Sequence, residues 1–140
     1  MPPLRVVVQF AVPRRGMPSA ASLRRWARAA HPAMDVTLRI VAAPEGKRLN
    51  KKFRRKNRAT NVLSFSYGGE GDVVLCHPVI AREARAQGKS VAAHYAHLVV
   101  HGVLHLRGYD HATSKQAARM QSAEIRILER IGLRNPYALK

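Results

Sequence analysis

Residues 90–111 read SVAAHYAHLVVHGVLHLRGYDH, and five of the chain's seven histidines fall in this stretch. A long helix is expected from about Ser90 to Leu106, broken by Gly108, because glycine suits the positive φ of a helix C-terminus. At 3.6 residues per turn, His94, His97, His101 and His105 lie within about 80° of one another. Four imidazoles on one stripe pack poorly, since each buried ring needs polar partners. A bound ion explains them better than a core histidine cluster does. His101 and His105 project from neighbouring turns and offer two nitrogens to one ion, and Gly108 turns the chain so that His111 returns as a third. Three neutral imidazoles suit zinc at ~2.0–2.1 Å and leave a fourth position for water, as catalytic rather than structural sites do. His97 is a rival ligand, four residues before His101; only the turn from Gly108 to His111 favours the other set. His94 and His97 otherwise read as packing or supporting residues.

The spacing H-x-x-x-H-x-x-G-x-x-H is that of metzincin proteases, yet their catalytic glutamate is here Gly102. Peptide hydrolysis by their mechanism is therefore disfavoured. A glycine inside a helix costs about 1 kcal/mol relative to alanine. Its presence suggests that substrate or a neighbouring strand comes close at this point.

Outward from the helix, period-2 and period-3.6 patterns alternate. Leu4–Val12 reads as a strand, and Ser19 or Ser22 caps a helix to about Ala30, with Leu23, Trp26 and Ala27 or Ala30 inward. Val36, Leu38 and Ile40 alternate as in a strand. After Pro44-Glu45-Gly46 comes the basic segment, where Leu49 and Phe53 sit four apart on a short helix. Asn61–Tyr67 and Asp72–Cys76 read as a hairpin around Gly68-Gly69-Glu70-Gly71. Pro78 opens a helix that ends at Gly88, and Thr113 with Gln116 forms a capping box for a last helix to about Ile131. The expected class is α+β, in the order β-α-β-α-β-β-α-α-α, with a mixed four-stranded sheet and about five helices.

On the last helix Glu124 falls inside the apolar stripe of Ala117, Met120, Ile127, Leu128 and Ile131. Metal-bound histidines usually donate their second ring N–H to a carboxylate or carbonyl, so Glu124 or Asp110 is a candidate to orient one of them. An exposed or arginine-paired Glu124 at the stripe edge is the alternative. Cys76, the lone cysteine, reads as a core residue.

The 140 residues are 46% hydrophobic and 24% charged, enough for one domain over 1–140 with a proper core, and the net charge is +17. Such a charge usually has a use, because it opposes compaction. Eight cations, Lys47, Arg48, Lys51, Lys52, Arg54, Arg55, Lys56 and Arg58, stand without an intervening acid. Release of phosphate counterions makes nucleic acid their natural partner; an anionic membrane or a merely solvated face are the alternatives. No apolar run nears the ~20 residues of a membrane span, the N-terminal apolar run is too short for a signal peptide, and one cysteine excludes an internal disulfide. A soluble, cytoplasmic protein is expected.

Taken together, the motifs resemble those of the YbeY family of bacterial endoribonucleases and rRNA maturation factors. The resemblance runs from about Leu38 to Tyr137. It rests on His101-Gly-x-x-His105-Leu-x-Gly108-Tyr109-Asp110-His111, preceded by His97-Leu-Val-Val. Three further blocks match: Leu49-Asn50-x-x-Phe53-Arg54 leading to Thr60-Asn61-Val62-Leu63-Ser64-Phe65; Gly71-Asp72-Val-Val-Leu; and Met120-x-x-x-Glu124-Ile125-x-x-Leu128. Ser66 stands where family members often carry proline.

The resemblance implies a single-strand-specific, metal-dependent endoribonuclease that matures the 3′ end of 16S rRNA and serves ribosome quality control. It implies zinc on His101, His105 and His111, with these residues and Arg54 in catalysis. The partners implied are ribosomal RNA and the small subunit, with ribosomal proteins or a ribosome-assembly GTPase, and no membrane. An arginine fork can bind two phosphoryl oxygens as negative charge develops. Lys51, Lys52, Arg55, Lys56 and Arg58 would hold the strand. The competing readings are an RNA-binding assembly factor with a structural metal and a metallohydrolase of another substrate.

Overall fold

The computed structural model describes residues 4–54 and 60–138, the side chains of Phe53 and Arg54 excepted. Its elements follow the expected order: β1 (Val6–Phe10), α1 (Ala20–Ala29), β2 (Asp35–Val41), α2 (Ala43–Arg54), β3 (Val62–Tyr67), β4 (Glu70–Cys76), α3 (His77–Ala86), α4 (Val91–Leu106) and α5 (Ser114–Arg130). The sheet order is β1-β2-β4-β3; β2 lies parallel to β1 and to β4, and β3 runs antiparallel to β4. The sheet is therefore mixed. Among the described residues, no helix is long and apolar enough to cross a membrane.

One sequence expectation shifts. The hairpin turn is only Gly68-Gly69, both at positive φ, while Glu70 and Gly71 already pair with Tyr67 and Ser66. Positive φ at both central residues is the two-residue turn whose twist matches flanking strands, so the ladder extends up to it. Pro44-Glu45-Gly46 lies within the first turn of α2. Proline is tolerated there because the N–H it lacks would be unbonded anyway, and an acid is favoured at that end. Glu45 also accepts Arg39 Nε–H at 2.6 Å.

The helix ends follow local chemistry. Ser19 accepts from the Ser22 N–H, Ser90 from the Ala93 N–H, and the Thr113–Gln116 box is complete. At the end of α4 the Gly108 N–H bonds the His105 carbonyl and the Tyr109 N–H bonds the Leu104 carbonyl. With Gly108 at φ 99 this is a Schellman close. It directs the following residues back toward the helix they have left.

Helix α4 is the centre of the molecule. Tyr95, Ala96, Val99, Val100, Val103 and Leu104 are fully buried, in one core with Leu23 and Ala27 of α1, Leu38 and Ile40 of β2, and Met120 and Leu128 of α5. A second cluster (Val41, Leu63, Val74, Cys76 and Val79, joined by Leu49) lies apart from it. This explains why Val41 is buried although the β2 alternation places it opposite Ile40.

Gly102 is where α4 meets the hairpin. A Cβ there would stand 2.6 Å from Val73 Cγ1 and 3.0 Å from Ser64 Oγ, whose hydroxyl donates to the Gly102 carbonyl at 3.0 Å. The bulk excluded at this position is that of a neighbouring strand. Gly102→Ala should lower unfolding free energy by up to about 2 kcal/mol, since overpacking costs about 1–3 and helix propensity returns about 1. Chemical denaturation would measure it; a stabilised variant would contradict the contact.

Candidate metal centre

His101 and His105 occupy adjacent turns of α4, and His111 follows the Gly108 turn. Each offers one ring nitrogen, and the three nitrogens lie within 4.8 Å of one another. The ring centroids are 4.8 Å (His101–His105), 4.9 Å (His105–His111) and 5.8 Å (His101–His111) apart. The set opens outward: the side-chain exposure of His111 is 59%, that of His101 22%. His97, the rival ligand, stands outside this group.

Glu124 organises the site from beneath. It is fully buried, so the reading as an exposed or arginine-paired residue fails. Its Oε2 accepts from His101 Nδ1–H at 2.6 Å and its Oε1 from His97 Nε2–H at 2.8 Å. The Tyr137 hydroxyl donates to Oε1 as well. Burial alone would push the carboxyl up, but the bonds from His101, His97 and Tyr137 outweigh it and hold it at about 2. A carboxylate at that nitrogen favours the His101 proton on Nδ1 and leaves Nε2 unprotonated, able to face an ion.

A divalent ion fits these residues. Three imidazoles within reach of one another, one bonded through Nδ1 to a buried carboxylate, could together hold a divalent metal ion. Asp110 does not share the orienting role. Its Oδ1 accepts from the His111 backbone N–H at 2.7 Å and stands 3.9 Å from His111 Nδ1, too far for a hydrogen bond. The two residues are adjacent in the chain, and the carboxylate bonds the His111 backbone N–H rather than its ring.

His94 is buried and belongs to another network. Its Nε2–H donates to Glu83 Oε1 at 2.9 Å, and the same oxygen accepts from Asn61 Nδ2 at 3.0 Å. This ties the start of β3 to α3 and α4. Neither Glu83 nor Tyr137 stood out in the sequence; the only prior signal was that buried histidines require partners. Of the basic segment, Lys51 and Lys52 are exposed on α2 beside exposed Lys47 and Arg48. Arg55, Lys56, Arg58 and the side chain of Arg54 lie outside the described residues.

Two outcomes follow from this geometry. Glu124→Gln keeps the shape but not the charge, and should weaken capture of a divalent ion about 10–100-fold, as loss of a ligand's hydrogen-bond partner typically does; competition with a chromophoric chelator measures it. For His94, burial lowers the imidazole from its ordinary value of 6.5, Lys89 and His97 add to that, and the Glu83 bond opposes it only in part. Above pH 6.5 both folded and unfolded chains hold it neutral. Below 6.5 the unfolded chain takes a proton that the folded chain refuses, so stability falls. Denaturation midpoints should therefore decline on acidification, and less so in His94→Gln with chelator present throughout; parallel curves would refute it.

Known proteins share these features. The family model of Endoribonuclease YbeY matches residues 19–132. The Endoribonuclease YbeY of Thiobacillus denitrificans is 49% identical over 97% of each chain. Those of Nitrosomonas eutropha and Stenotrophomonas maltophilia are each 46% identical over 96% of this chain, and over 99% and 94% of their own. The solution structure of TM1509 from Thermotoga maritima shares the fold, with a TM-score of 0.55 at 20% identity over 90% of this chain and 91% of that one. With close to half of its residues held in common over nearly its whole length, the chain belongs to the YbeY endoribonuclease family.

Proposed function

We propose that the chain is a single domain over 1–140 and a zinc-dependent endoribonuclease. It cuts single-stranded RNA, matures the 3′ end of 16S rRNA in the cytoplasm and serves ribosome quality control on the small subunit, beside ribosomal proteins or an assembly GTPase. The observation that carries this reading is the convergence of His101, His105 and His111 within 4.8 Å, on a group open to solvent at His111.

In this reading the three imidazoles hold the ion and Glu124 fixes His101. An ion so held supplies Lewis acidity toward a phosphoryl oxygen or an attacking hydroxyl. Arg54, at the last position of α2, sets a guanidinium against the charge that develops on the phosphoryl group. Lys51, Lys52, Arg55, Lys56 and Arg58 neutralise flanking phosphates, a contact that carries no base sequence. Gly102 offers no side chain where a metzincin holds its base, which speaks against a peptide substrate. The assembly-factor reading is less favoured because a structural site is closed by four protein ligands, whereas among the described residues this group has three, with His111 exposed.

Cleavage of precursor 16S rRNA on small subunits tests the proposal. Chelation and His105→Ala should each abolish cutting while RNA binding persists. Arg54→Ala should lower turnover about 10²–10³-fold, the scale of removing one charge-stabilising donor, with zinc content intact. Undiminished cleavage by zinc-free protein would overturn the metal-dependent mechanism; equal loss of zinc in Arg54→Ala would make Arg54 structural.

A further inference from the structure

Beyond α5 the chain folds back. The Gly132 N–H bonds the Glu129 carbonyl and the Leu133 N–H the Leu128 carbonyl, a second Schellman close. Asn135 then builds a turn: its Oδ1 accepts from the Tyr137 N–H at 2.8 Å and its carbonyl from the Ala138 N–H at 3.3 Å. These two turns deliver Tyr137 to a carboxylate thirteen residues upstream.

The outcome is an unusual division within one side chain. Tyr137 is 41% exposed overall, yet its hydroxyl reaches inward. The ring stands edge-on to His97, centroids 5.2 Å apart at 84°, and the hydroxyl donates to Glu124 Oε1 while lying 3.1 Å from His97 Nε2. A surface tyrosine that only covered apolar area would turn its hydroxyl to water.

A carboxylate is planar and rigid, so whatever holds Oε1 also sets the direction of Oε2. Tyr137 and His97 grip Oε1, and Oε2 is the atom that receives His101 Nδ1–H at 2.6 Å. We propose that Tyr137 is a positioning residue for the metal centre, acting through Glu124 to set the tautomer and aim of His101. This rests on reading His101, His105 and His111 as a metal site. Without the phenol, Oε1 keeps only His97, and the carboxylate rotates and loosens its hold on His101. The tail after α5 is thus part of the site, although it provides no ligand.

Zinc competition titrations on the full chain test the proposal. Tyr137→Phe preserves the ring against His97 and removes only the donor. Zinc affinity should fall about tenfold, the lower end of what such indirect partners contribute. In a Glu124→Gln background the same change should add less than about twofold, because the path runs through the carboxylate. Replacing Tyr137 by 4-aminophenylalanine, which keeps a donor at the same place, should restore binding whether or not Tyr137→Phe folds well. Affinity for zinc in Tyr137→Phe equal to that of the unaltered protein would overturn the proposal and leave the metal site standing. So would failure of the donor-bearing analogue to restore affinity. An unaltered protein that binds no zinc would instead overturn the metal reading itself.

Discussion

A carboxylate with no contact to solvent holds this site together. Glu124 is an anion in the core, and isolation there would be prohibitive without donors. It has three, from α4 twice and from the C-terminal tail once. A buried charge so satisfied stabilises little against an apolar substitute but tolerates no other arrangement of its partners. The registry of α5 against α4 is therefore set to within hydrogen-bond precision at the place where His101 must be aimed.

The second constraint is steric. Metal ligands separated by one helical turn are only as well placed as their helix, and α4 is fixed on every side. It shares a core with α1, β2 and α5, and at Gly102 it approaches β3 and β4 until no Cβ fits. Rigidity on the strand side and polar registry on the α5 side leave the ligand face turned outward. The same helix thus serves as the core of the domain and as the floor of its site.

What could be read from the sequence was what depends on neighbours in the chain. The histidine spacing, the Thr113–Gln116 box, the Gly108 stop and the alternation in β2 all express local geometry, and the structure repeats them. The departure has a local cause too: Gly68 and Gly69 alone supply the positive φ of the hairpin turn, so Glu70 and Gly71 stay in the ladder. Partnerships across the fold were legible only in part: the close approach at Gly102 and a carboxylate for one of the histidines. Glu124 in an apolar stripe signalled that something polar must meet it, but not that His97 and Tyr137 would join His101. Glu83 and Asn61 meet His94 only because α3, β3 and α4 converge.

The order in which the pieces occur along the chain has a consequence for synthesis. His101 and His105 are made well before Glu124, and Tyr137 comes later still. Domains fold as their segments emerge from the ribosome. A nascent chain can assemble its sheet and α4 while the carboxylate and the phenol are still inside the exit tunnel. The bonds that fix these rings therefore form late, and a polypeptide still being translated carries His97 and His101 without the carboxylate that holds them.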